Sequence, residues 1–281
     1  MVDSIRVAAV QMVSGPDLGE NINSAATLVK NAVEAGASLV VLPEYWPLIS
    51  DDERKKLAYC ENPGSGPLQD FLAATARRHG IWLAGGAIPI TSEIPDKIYS
   101  SCLVHDPQGQ LSARYDKIHL FDVCVDTDDR ESYRESATIA PGTSVVVCRT
   151  PFAQIGLSIC YDLRFPELYR RMLSEDVGII LVPSAFTATT GKRHWEMLLR
   201  ARAVENLCFV IAANQGGQNT PNRATWGHSM IIDPWGDILA CRDTGPGVVI
   251  AELDLARQRQ IRESFPALEH PRLLTQTTCN P

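Results

Sequence analysis

Three features of the sequence predict a layered α/β fold. Short apolar runs of strand length alternate with segments of helical period along all 281 residues. Purely apolar stretches such as 177–182 and 207–213 stay well short of the roughly 18 residues a membrane helix needs. With 45% apolar and 21% charged residues, the chain can bury one large core, so a single domain is expected.

In order, a strand is predicted over 5–13, and a helix over 21–35, where Ile22, Ala26, Val29 and Val33 share one face and Gly36 is placed to cap it. A strand over 38–42 stops at Pro43, which cannot continue regular pairing. A helix over 68–79 is followed by strands over 81–85, 98–105 and 110–120, the last two joined by the turn Asp106-Pro107-Gln108-Gly109. The polar, acidic stretch 122–141 carries Asp126, Asp128, Asp129, Glu131 and Glu135. It begins five residues after Lys117 and is expected to be a loop that walls a pocket. Strands over 145–149 and 154–160, a helix over 166–173, a strand over 178–182 and a helix over 195–205 come next. Strands over 207–214, 228–233, 237–240 and 248–253 complete the set. Val41-Leu42-Pro43 is echoed by Leu181-Val182-Pro183, and Asp106-Pro107-Gln108-Gly109 by Asp233-Pro234-Trp235-Gly236. Two similar halves facing each other would produce that echo.

The formal net charge of −7 leaves no basic footprint for nucleic acid, so a small molecule is the expected partner and no membrane association is expected. The first residues, with an early Asp3 and then an alternating strand, resemble neither a signal nor a transit peptide, and a cytoplasmic location is expected. Eight cysteines at 60, 102, 124, 148, 160, 208, 241 and 279 form no Cys-x-x-Cys pair; Cys102, Cys148 and Cys208 read as small core residues, all reduced. Histidines are scattered without ligand spacing, so no metal site is expected.

Chemistry concentrates at three strand ends. Cys160 ends an apolar run just before Tyr161-Asp162-Leu163-Arg164, where a turn would lift its sulfur into a cleft and aim the following N–H groups at an oxyanion. An inert buried thiol is the competing reading. Glu44 follows Pro43 at another strand end, and alternation over 111–120 puts Tyr115, Lys117 and His119 on one face. A lysine that merely snorkels to solvent is the alternative for Lys117. Base, cation and thiol together are what acyl transfer to sulfur requires.

The stretches Leu42-Pro43-Glu44-Tyr45, Tyr115-Asp116-Lys117-Ile118-His119 and Ile159-Cys160-Tyr161-Asp162-Leu163-Arg164-Phe165-Pro166-Glu167, in that order, resemble the nitrilase superfamily of carbon–nitrogen hydrolases. Further likenesses to its Nit-type amidases are Tyr133-Arg134-Glu135-Ser136, Pro183-Ser184-Ala185-Phe186, His194-Trp195-Glu196 and Trp226-Gly227-His228-Ser229. The resemblance implies a four-layer α-β-β-α sandwich in one domain over 1–281, its last residues, about 273–281, extended. It implies Glu44 as general base, Lys117 and the Tyr161 N–H as oxyanion donors, Cys160 as nucleophile and Glu135 as a supporting carboxylate, with no cofactor. A histidine base at His119, His194 or His228 is the rival arrangement. The resemblance also implies a homo-oligomer, dimer or higher, pairing near 169–173 and 195–199.

The implied substrates are short ω-amides of dicarboxylic acids, deaminated glutathione or α-ketoglutaramate, whose carboxylates call for a cation. Arg164, Lys192, Arg193 and Arg223 are the candidates. A basic Lys192-Arg193 pair at the pocket mouth would favour deaminated glutathione. Solvated charges starting a helix are the alternative reading of that pair. Nitrile or N-carbamoyl hydrolysis by the same three residues, and a non-catalytic thiol sensor, are the competing functions.

Overall fold

The structure, a computed structural model, describes residues 2–125 and 131–272. The tail 273–281, Cys279 and the acidic residues Asp126, Asp128 and Asp129 lie outside the described residues.

Two sheets form the centre. In the first, strands Ser4–Gln11, Leu39–Val41 and Trp82–Ala84 run parallel, with Gly247–Asp254 antiparallel on one edge and Ile98–His105 antiparallel on the other. Ile88–Thr91 and Leu111–Asp116 both pair with Ile98–His105. In the second sheet, Gln154–Leu157, Val177–Leu181 and Phe209–Ala212 run parallel, flanked by Val147–Arg149 and by the hairpin Ser229–Ile232 and Ile238–Arg242.

Strand alternation sorts the side chains into layers. Val7, Ala9, Val41 and Val104 join a core with Ile155, Leu157 and Leu181 of the second sheet. Ala8, Val10, Val40 and Leu83 face the other way, against helices Leu18–Glu34 and Pro67–His79. Helices Pro166–Met172 and Ala188–Asn206 cover the far side of the second sheet through Tyr169, Met172, Trp195 and Leu199. The result is helix, sheet, sheet, helix, as expected.

The sequence echo is a structural repeat. Leu39–Val41 and Val177–Leu181 are each the middle strand of a parallel trio, and Pro43 and Pro183 follow each of them. The two Asp-Pro-x-Gly turns use one chemistry. Asp106 Oδ1 accepts from the N–H groups of Gln108 and Gln110 at 2.9 and 2.8 Å, and Asp233 Oδ1 from those of Trp235 and Asp237 at the same distances.

Several elements differ from expectation. The strand over 110–120 ends at Asp116, because Lys117 turns inward while its backbone bonds Ser100 and Gly142. Segment 122–141 is no plain loop: Asp122–Val125 and Glu131–Arg134 pair antiparallel before a short 3₁₀ turn at Glu135–Ala137. Hairpin Gly216–Thr220 with Arg223–Trp226, strand Ile88–Thr91 and helix Leu255–Ser264 were not foreseen. On the first helix the buried face is centred on Ala25, Val29 and Ala32, with Ile22 and Val33 at its margins. In the regions expected to pair protomers, Tyr169, Met172, Trp195 and Leu199 are buried in the core, whereas Met197 is exposed; beyond them, Val204 is exposed as well. Among the described residues, no helix is long and apolar enough to cross a membrane.

Candidate active site

Glu44 sits where the first sheet's middle strand stops. Pro43 ends the pairing, and Gly86, in the left-handed region at φ 61°, lets the neighbouring chain pass so close that a Cβ there would lie 2.0 Å from the Pro43 carbonyl oxygen. The chain then bends through Tyr45, also left-handed at φ 53°. Glu44 is 1% exposed, and both its oxygens are engaged: Lys117 Nζ donates to Oε1 at 2.7 Å and the Ala185 N–H to Oε2 at 2.9 Å.

Lys117 is as deeply buried as Glu44 and donates a second bond, 2.9 Å, to Oε1 of Glu135. Burial opposes its charge, but the carboxylates of Glu135 and Glu44 outweigh that and hold its pKa well above the usual lysine range. Glu135 is held in turn by the Tyr45 hydroxyl at 2.6 Å and the Phe121 N–H at 2.7 Å. Burial pushes the Glu135 carboxyl up, yet the charge of Lys117, the hydrogen bonds from Tyr45 and Lys117, and the charge of Lys56 bring it below the ordinary value. The snorkelling alternative for Lys117 is therefore excluded.

Cys160 stands at the end of the second sheet's strand Gln154–Leu157, on a left-handed residue at φ 48° that opens a 3₁₀ turn, Cys160–Arg164. A non-glycine residue keeps this conformation only where its surroundings impose it. Here the Cys160 N–H bonds the Pro183 carbonyl at 2.9 Å, and fully buried Asp162 accepts from the Ile159 N–H at 2.9 Å. Asp162 also accepts from the Tyr115 hydroxyl at 2.7 Å and from the His119 N–H and ring at 3.0 and 2.7 Å. It thereby ties the cysteine turn to the segment that carries Lys117. Burial and the hydrogen-bonded Glu44 carboxylate raise the Cys160 pKa well above the ordinary thiol value, more than Lys117 lowers it. The resting sulfur is a thiol, and it needs a base.

Glu44, Lys117, Glu135, Cys160 and Tyr161 line one cavity that opens to solvent. Described residues of the 122–141 segment, Ser132 to Glu135, form part of its wall with Phe121. Of the four candidate cations, Arg223 lines the cavity and its side chain is 13% exposed. The other three are corrected. Lys192 and Arg193 are exposed on the first turns of helix Ala188–Asn206 and line a separate shallow cleft with Trp195 and Trp226. Arg164 lies behind the wall, its guanidinium 5.7 and 5.3 Å from the rings of Tyr161 and Phe186 and 3.3 Å from His194 Nδ1. None of His119, His194 and His228 lines the cavity; His119 is held by Asp162 and stacked on Phe165. Among the described residues, no group of three or more His, Cys, Asp or Glu is placed to hold a metal ion.

Sequence reasoning missed Glu53, Tyr45 and Ala185 as contributors. Ala185 was within reach: the echo aligns 43–45 with 183–185, and the Ala185 N–H reaches Glu44 across the two sheets. Glu53 carried no signal, since it lies in an irregular charged stretch, 51–56.

The carbon-nitrogen hydrolase family model matches residues 6–263. Deaminated glutathione amidase of Yersinia enterocolitica is 40% identical over 270 residues, covering 96% of this chain and 93% of the relative. The omega-amidase of Xenopus tropicalis is 37% identical, covering 93% and 92%. Among solved structures, Nit3 of Saccharomyces cerevisiae superposes with a TM-score of 0.87 at 32% identity, covering 97% of this chain and 98% of that one. With the family model matched over residues 6–263 and the relatives aligned over nearly the whole chain, the chain belongs to the carbon–nitrogen hydrolase family.

Proposed function

We propose that this enzyme hydrolyses the terminal amide of a small carboxylic acid through a thioester on Cys160. The observation that carries the reading is the juxtaposition, in one cavity, of the Cys160 thiol, the Glu44 carboxylate and a lysine with one N–H still uncommitted. Glu44 takes the thiol proton as sulfur attacks the amide carbon and a C–S bond forms. The oxyanion is held by Lys117 Nζ and the Tyr161 N–H, since the first N–H groups of a helical turn have no partner within it. The tetrahedral adduct collapses with loss of the C–N bond, and Glu44 returns the proton to departing ammonia. It then deprotonates the water that attacks the thioester; the C–S bond breaks, the acid leaves and the thiol is reprotonated. Glu135 fixes Lys117 throughout.

Deaminated glutathione is the proposed substrate, supported by the relatives that carry that name. The ω-amidase reading, for α-ketoglutaramate or succinamate, is kept by the Xenopus likeness. With Lys192 and Arg193 outside the cavity, they no longer bear on that choice. Self-association is part of the proposal: exposed Val204 packs on Gly236, beside Trp235 and Phe265, whose rings are 5.5 Å apart. Sedimentation velocity of the protein and of Trp235→Glu, expected to be smaller, tests it. For the chemistry, ammonia release from deaminated glutathione and α-ketoglutaramate is measured with the native protein and with Cys160→Ala. High kcat/KM on one, abolished by the substitution, is expected; no release from either would send the assignment to N-carbamoyl compounds and nitriles.

A further inference from the structure

The cavity holds a cation that the chemistry above does not use. Lys117 is taken by Glu44 and Glu135, so an anionic substrate must find its positive charge elsewhere. Arg223 lines the same cavity from the hairpin beyond Thr220, its guanidinium 5.6 Å from the Tyr45 ring centre. Its Nη1 donates to Glu53 Oε1 at 2.6 Å, while its Nε is buried with no hydrogen-bond partner. An under-used buried guanidinium is a ready carboxylate site, because its planar fork matches a carboxylate and its bonds strengthen away from water.

Glu53 is the unusual member of the pair. Its side chain is 48% exposed, it also lines the cavity, and it has a second cation in Lys56, whose Nζ lies 2.5 Å from Oε2. It can therefore release Arg223 towards solvent and keep an ion pair. The backbone around it is held independently. Asp51, two residues earlier, accepts hydrogen bonds from the Thr220 hydroxyl and, at 3.1 Å, from the Asn222 amide of the Arg223 hairpin. Exchange at Arg223 then requires a side-chain rotation, with no movement of either segment.

We propose that Glu53 holds the place of a substrate carboxylate on Arg223, which makes the pair an exchangeable specificity site for amides carrying a second acid group remote from the scissile bond. This rests on the amidase reading for which end of the substrate reacts, and assigns the other end to Arg223. A neutral amide gains nothing there. An acidic one replaces Glu53, and the internal competitor sets how tightly it binds.

The test separates binding from turnover by using Cys160→Ala as the background. Dissociation constants for succinamate and for butyramide, a neutral amide of similar length, are measured by calorimetry in that background and with Glu53→Gln or Arg223→Gln added. The preference for succinamate over butyramide is expected to rise about 5-fold with Glu53→Gln, where the competitor has lost its charge, and to fall at least about 10-fold with Arg223→Gln. Should Arg223→Gln not fold, Glu53→Gln alone decides, since that side chain is half exposed. A preference unmoved or lowered by Glu53→Gln overturns the proposal. Ammonia release by the native protein from the same two amides tests the amidase reading separately.

Discussion

Lys117 commits two of its three N–H donors to carboxylates, and that arrangement sets what its loss would do. The two acids keep it charged and immobile, so the third donor is already aimed when negative charge develops on the substrate oxygen. Lys117→Met should lower kcat about 10²- to 10³-fold while changing KM far less, the pattern of an interaction made in the transition state, and steady-state kinetics on the preferred amide will show it. Glu44 and Cys160 were legible in the sequence because each is a reactive residue just after an apolar run, where side chains leave the sheet and meet a cleft, whereas Lys117, in the mixed polar stretch 111–120, was singled out by alternation and by the family resemblance. Lys192 and Arg193 were misread for an equally physical reason. Their charge was visible, but helix Ala188–Asn206 buries Gly191 and Trp195 and so turns the positions between them outward.

Helix Ala188–Asn206 also shows how closely elements are fitted around the cavity. At Gly191 a Cβ would stand 2.3 Å from that of Trp226, so the helix rests directly on the hairpin that carries Arg223. Alanine is the better helix former by about 1 kcal/mol, but overpacking of this kind costs about 1–3 kcal/mol, and the clash here is with a side chain's base and not its flexible end. Gly191→Ala should therefore destabilise the protein, read as a lower urea midpoint with unchanged m. The parallel strands and the four expected helices follow from apolar period alone. Hairpin Gly216–Thr220 with Arg223–Trp226 did not, since polar residues dominate it and it is held by hydrogen bonds to Met12, Ser14 and Asp51 far away in sequence. Helix Leu255–Ser264 was hidden similarly, by an Arg- and Gln-rich sequence with Leu255, Gln258 and Ile261 buried.

At the scale of the whole molecule, the buried charges shape stability across pH. Glu135 has a folded pKa below its ordinary value of 4.5, so its contribution is present above that pH and is lost as pH falls through the folded value. Lys117, raised above 10.5, contributes fully below that pH, and its share is lost only as alkali carries the solution through the folded value. A plateau between these limits is expected in urea unfolding followed against pH, and Glu135→Gln should flatten the acid limb. The internal echo anticipated two facing halves and the family resemblance implied the four-layer order, whereas the joint between the sheets could not be anticipated, because it depends on single long-range bonds. Glu44 and Lys117 leave the first sheet; Cys160 and Ala185 leave the second; the Ala185 N–H and Asp162 span the gap. Neither half alone contains a reaction centre. Turnover is therefore a gauge of the final docking step in folding: on dilution from denaturant, ammonia release should return with the near-ultraviolet aromatic signal, later than the far-ultraviolet signal of the separate sheets.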